Sequence, residues 1–163
     1  MNREFLIRLF DQSLEQARTL VEPVACADCA TLSGGKHPAW LLGHLAVGAD
    51  FASQLCSRPR TDEPMDERFT PGSIPQAGRD AYPSKAELLE WLGAAHAHAR
   101  QAFLEAPDEV FEAPFPIEEY RAFFPKVGDG VAYLLANHEP YHNGQLQQWT
   151  LAMGHEPIRS GGI

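Results

Sequence analysis

Along four separate stretches of this 163-residue chain, apolar residues recur every three to four positions, the period of a helix with one buried side. The first stretch runs from about Asn2 to Val21. Phe5, Leu9, Gln12/Ser13, Gln16 and Leu20 trace one side, Leu6, Phe10 and Leu14 widen the stripe, and Pro23 ends it. The second begins near Pro38, whose missing N–H has no partner in a first helical turn anyway. It reaches about Cys56, with Leu41, His44/Leu45, Gly48, Phe51/Ala52 and Leu55 on one face. In the third, Ser84 and Glu87 form a capping-box signal, and Leu88, Trp91/Leu92, Ala95, Ala99 and Phe103 follow before Pro107. The fourth is expected after a KVGDG loop, with Asp129 as its cap, and extends to Met153. Its stripe reads Leu134/Leu135, His138, Tyr141/His142, Gln145/Leu146, Trp149 and Ala152/Met153. Pro140 interrupts this stretch, removes the bond to the Ala136 carbonyl and predicts a kink. These helices predict an all-α protein: a four-helix bundle with long irregular connections after helices two and three, at residues 57–82 and 107–128. The length predicts a single domain over residues 1–163.

Charge narrows the partners. Thirteen Lys and Arg against 22 Asp and Glu leave a net charge of −9, which repels phosphate backbones and anionic membrane surfaces. No nucleic acid and no membrane are expected as partners. The acidic runs Asp62-Glu63 and Asp66-Glu67 read as a solvated loop. The longest nonpolar stretch, PAWLLGHLAVGA, contains a histidine and falls short of the roughly 20 residues a spanning helix needs. The N-terminus has no uninterrupted apolar core of signal-peptide length, and three cysteines are too few for a secreted disulfide scaffold. A cytoplasmic location is the expectation. Cys26-Ala-Asp-Cys29 is a CxxC without a second ligand pair or a βαβ setting, and reads as two ordinary thiols; Cys56 reads as buried and inert.

The chemistry concentrates in HEPYHNGQL, residues 138–146. His138 and His142 are four apart, so on a helix they stand one turn apart on one face and can reach one metal ion. Both fall on the apolar stripe, as does His44 on the second helix. Two imidazoles on a buried face are hard to satisfy singly, whereas one metal satisfies both. Three neutral imidazoles with open positions suit Zn²⁺ or Ni²⁺, and also Cu²⁺ or Fe²⁺. HEPYH also matches the H-E-x-x-H of zinc peptidases, with Glu139 as the base. The extended peptidase pattern would place Gly at 145 and His at 148, and this chain has Gln at both. Gln145 is a candidate to orient a ligand or a metal-bound water, and Tyr141 and Trp149 are candidates to line a pocket. His37, seven residues before His44, is a candidate at the pocket mouth. His96 and His98 cannot share a helix face, so at least one is expected to be solvated, and His155 is expected at the surface.

Trp40, Leu41 and Gly43-His44-Leu45, together with His138…Tyr141-His142…Gly144-Gln145-Leu146, resemble the DinB-like (DinB/YfiT) superfamily of metal-dependent enzymes over nearly the whole chain. The resemblance implies a four-helix bundle, a divalent metal (often Ni²⁺ or Zn²⁺) on His44, His138 and His142, and frequently a homodimer. It further implies a thiol-dependent S-transferase, a thiol-dependent isomerase or a related enzyme acting on a small-molecule substrate, with a low-molecular-weight thiol as co-substrate; an open site holding a metal hydroxide would instead support a hydrolase. The alternative is a non-catalytic metal-binding or stress-response module, with an HExxH metallopeptidase behind both. The superfamily's reference to DNA damage concerns regulation and implies no DNA contact.

Overall fold

The computed structural model describes residues 2–60 and 65–157; Asp62 and Glu63 lie outside the described residues. Its long elements are α1 (Arg3–Val21), α2 (Pro38–Leu55) and α3 (Lys85–Glu105). A short α4 (Asp108–Glu112) precedes α5 (Val127–Tyr133), which runs through a π turn (Leu134–His138) directly into α6 (Glu139–Ala152). The fold is all-α, and α5, the π turn and α6 act as one fourth helix. Both α1 and α2 pack against α3 and α6, so the order around the bundle is α1–α3–α2–α6.

The helix starts follow from local chemistry. Asn2 accepts from the Phe5 N–H at 3.0 Å, and Ser84 and Glu87 complete their capping box. The fourth helix starts earlier than its sequence suggested. Val127, Gly128 and Asp129 are already helical, and Asp129 is the third helical residue, its carboxylate accepting from the Lys126 N–H at 2.9 Å. KVGDG is therefore a helix start and not a loop.

Pro140, expected to disturb the helix, leaves its mark in the winding just ahead of it. With no N–H at 140 the Ala136 carbonyl loses its α-helical partner, and the ladder widens into the π turn just upstream. The fourth helix absorbs the proline as a change of winding.

Two buried faces differ from their predicted stripes. On α1 the core side is Ile7, Phe10, Leu14, Ala17 and Leu20, while Phe5 is 48% exposed. α2 is buried almost all round, from Pro38 through Ala49, because the connection after it folds over its outer side. Phe69, on a 3₁₀ turn of that connection, is fully buried, and its ring lies where a side chain on Gly43 would have to go. The second connection is ordered too, by α4, a 3₁₀ turn at Glu118–Tyr120 and a bridge between Pro114 and Lys126. Among the described residues, no helix is long and apolar enough to cross a membrane.

Candidate metal centre

The bundle brings His44, His138 and His142 together. Their ring centroids lie 4.6 to 5.0 Å apart, and one nitrogen of each ring lies within 4.8 Å of the other two. His44 and His142 are buried and His138 partly so. The His44 and His138 Nε2 atoms are 3.2 Å apart. Two nitrogens bound to one ion at about 2.05 Å with tetrahedral angles would be about 3.3 Å apart.

The far side of two rings is already committed. His44 Nδ1–H donates to the Phe69 carbonyl at 2.6 Å, and His142 Nδ1–H donates to Gln145 Oε1 at 2.8 Å. Each hydrogen bond fixes the tautomer, so that Nε2 keeps its lone pair and turns it to the shared centre. Burial pulls His138 down to about 3, helped by the neighbouring His142 and His44. It pulls His142 down to about 4, against the pull of the Gln145 hydrogen bond, and lowers His44 as well. Neutral rings with inward lone pairs are the form a divalent cation binds, and the donor set fits such an ion.

Glycine makes the room. A Cβ on Gly48 would stand 2.8 Å from His138 Cε1, so the ring can lie against α2 only because position 48 has no side chain. Gly43 likewise admits the Phe69 ring, which brings the Phe69 carbonyl to His44. Sequence reading passed over Phe69, Gly43 as its seat, and Gly48 as the seat of His138. Glycines inside a helix, flanking a histidine, signal close approach.

The remaining candidates separate. Gln145 touches the centre through His142. Tyr141 is 60% exposed with its ring edge against His142, and Tyr133, also exposed, has its ring 6.4 Å from His138. Trp40 stacks on His44 at 4.6 Å, and Lys36 places its ammonium 4.0 Å over the Trp40 ring. Trp149 is core: its indole N–H donates to the Thr31 carbonyl at 2.8 Å and the ring is 2% exposed. His37 is a structural cap, not a pocket-mouth residue. Its Nδ1 accepts from the Trp40 N–H at 3.1 Å, its Nε2–H donates to the Gln76 carbonyl at 3.0 Å, and the ring is fully buried. The signal was its place immediately before Pro38, because the residue ahead of a first-turn proline is the N-cap.

Glu139 faces away from the three histidines. It is 2% exposed, lies 3.9 Å from His96 Nε2, and neither of its oxygens has a hydrogen-bond partner. Burial pushes its carboxyl well above the usual range, with Asp11 adding to the effect. Burial also lowers His96, whose Nε2–H donates to the Phe10 carbonyl at 3.0 Å, so the facing pair is neutral and makes no ion pair. One turn on, Asn143 donates to the Ser13 carbonyl at 2.8 Å while its Oδ1 is unpartnered. Glu139 is thus in no position to act as a base at the imidazole centre. His98 donates to the Arg58 carbonyl at 2.9 Å, and His155 stacks loosely beside Trp149.

A family model described as the DinB superfamily matches residues 9–146, a span that includes all three histidines. Searches of curated proteins and of solved structures gave no match.

Proposed function

The chain belongs to the DinB superfamily, and on that premise we propose that His44, His138 and His142 hold a divalent metal, Ni²⁺ or Zn²⁺, in an enzyme that transfers a thiol to, or hydrolyses, a small molecule. The observation that carries this reading is the pair of outward hydrogen bonds, His44 to Phe69 and His142 to Gln145, which commits two Nε2 lone pairs to one point beside His138. A bound divalent ion lowers the pKa of a thiol or water it coordinates and so supplies a nucleophile at neutral pH.

The protein's own groups shape what happens around that point. Phe69 and Gln145 keep the two rings in the ligating tautomer. Trp40 shields one side of His44 from water, and Lys36, resting on Trp40, adds a positive charge that favours an anionic nucleophile or substrate group nearby. Tyr133 and Tyr141, exposed beside His138 and His142, offer faces for the apolar part of a substrate. This partly open side favours chemistry over a purely structural metal, which is normally closed in by protein. The turned-away Glu139 argues against the H-E-x-x-H peptidase reading. A homodimer and a cytoplasmic location belong to the same proposal.

Metal analysis of untagged protein tests it, followed by assays of the Ni²⁺- and Zn²⁺-loaded forms with electrophiles and low-molecular-weight thiols. Stoichiometric metal and thiol-dependent turnover are expected. No metal, or metal retained by His142→Ala, would overturn the centre. Metal without turnover over a broad panel would leave a non-catalytic binding module.

A further inference from the structure

Cys26 and Cys29 take no part in the imidazole centre, and their surroundings are unlike. They flank a short 3₁₀ turn (Cys26–Asp28) in which the Cys29 N–H donates to the Cys26 carbonyl at 3.3 Å. Residues joined by such a bond have Cα atoms less than about 7 Å apart, and a disulfide spans Cα atoms about 4.4–6.8 Å apart. Cys26 is exposed and Cys29 is fully buried. Lys85, the first residue of α3, drives its ammonium into the loop just ahead of Cys26, donating to the carbonyls of Val24 at 2.5 Å and Val21 at 3.1 Å. The Lys85 backbone N–H and then the Arg79 guanidinium hold the Cys26 thiol below its ordinary range. Burial pushes Cys29 up to about 11. An exposed thiol at a helix N-terminus beside cations is the more nucleophilic of such a pair, and its buried neighbour is protected from direct attack.

We propose that Cys26 and Cys29 form a redox-active dithiol that reduces low-molecular-weight disulfides, Cys26 attacking and Cys29 resolving. The Cys26 thiolate attacks one sulfur of a disulfide RSSR. The Cys26–SR bond forms, the RS–SR bond breaks, and the leaving thiolate takes a proton from solvent. Cys29 then gives its proton to water and attacks Cys26 Sγ. The Cys26–Cys29 bond forms, the Cys26–SR bond breaks, and the leaving thiolate takes a proton from solvent to give a second RSH. Two protein thiols are oxidised and one disulfide is reduced to two thiols. The second step is the slower one at neutral pH, because Cys29 must ionise out of an apolar site. Arg79 and Lys85 also suit a disulfide that carries carboxylates.

The test is a time course of the full-length protein with glutathione disulfide, quenched by alkylation and read by intact mass and peptide mapping. The expected record is a transient gain of one glutathionyl group at Cys26, then its loss with a Cys26–Cys29 cross-link, while Cys56 stays free to be alkylated. Cys26→Ser should abolish both products, Cys29→Ala should stop at the mixed disulfide, and Arg79→Ala should slow the first step several-fold. Because Cys29 is buried and its replacement can disturb folding, the wild-type time course decides independently of that variant. A mixed disulfide that persists in the wild type, equal modification of Cys56, or a first step unchanged in Arg79→Ala would overturn the proposal.

Discussion

Two buried polar groups of residues lie on opposite sides of the same helical turn, one residue apart in the chain. His138 and His142 turn toward α2 and meet His44, while Glu139 and Asn143 turn away from that centre, toward His96 of α3 and Ser13 of α1. Both groups are polar, and both are largely removed from solvent. On the histidine side the outer nitrogens of His44 and His142 are paired with oxygens, which leaves the inner lone pairs directed at one place. On the other side three oxygens, both of Glu139 and Oδ1 of Asn143, are unpartnered. Burial and polarity therefore do not identify a ligand set. Prior satisfaction of the outward atoms, with convergence of what is left, does.

The largest expected effect breaks the histidine side. His142→Ala should abolish stoichiometric metal, measured by elemental analysis. At a thousandfold excess over Kd a ligand adds about 4 kcal/mol, which for a chain of this size is about 10 °C in Tm. That metal-dependent rise should be present in the wild type and absent in the variant.

Acid should unfold the metal-free protein from both sides at once. Burial depresses His37, His44, His96, His138 and His142, so below the ordinary histidine value of about 6.5 the unfolded chain binds more protons than the folded one. The histidine contribution to stability, fully present above that pH, should fall as pH drops, by up to about 1.4 kcal/mol per unit for each histidine. The loss should continue down to about 4 for His142 and about 3 for His138. In urea titrations at several pH values, His96→Gln should flatten the slope by one proton and leave metal binding intact.

Gly48→Ala places a methyl group against the His138 ring. Metal affinity should fall by about 10- to 100-fold, the usual effect of disturbing what orients a ligand, and isothermal titration would measure it. On the oxygen side Glu139→Met should raise stability by about 1–2 kcal/mol, because it removes a buried carboxyl with no partner, and metal stoichiometry should not change. The smallest effect belongs to Gly144→Ala. Nothing stands within 4 Å of the added methyl, so the gain should be about 0.5–1 kcal/mol from helix propensity alone.

Short-range chemistry was the readable part of the sequence. The Ser84/Glu87 cap, Pro38 at the head of α2 and the four-residue spacing of His138 and His142 each depend on neighbours within one helical turn. The acceptor of His44 is 25 residues away, on a connection without periodicity, and no local pattern links Phe69 to position 44. The burial of α2 on all sides has the same origin. The burial of Glu139, Asn143 and His96 was not legible, because a stripe drawn through apolar residues leaves polar ones outside the core. Tyr141 was placed inside on the same logic, and it stands outside.

The π turn gives the fourth helix two angular phases. It fits one more residue than an α-helix would hold over the same stretch, which offsets everything upstream by about 100° relative to everything downstream. Val131 and Gly130, which pack against the core and against Phe115, keep time with one phase, and the His138–His142 pair keeps time with the other. Deleting a single residue between Leu134 and Asn137 would therefore let the turn close into ordinary α-helix with the Val131 side and the two histidines both still facing as they do. The same deletion within α5 or α6, where there is no surplus residue to give up, would rotate one side against the other by about 100°.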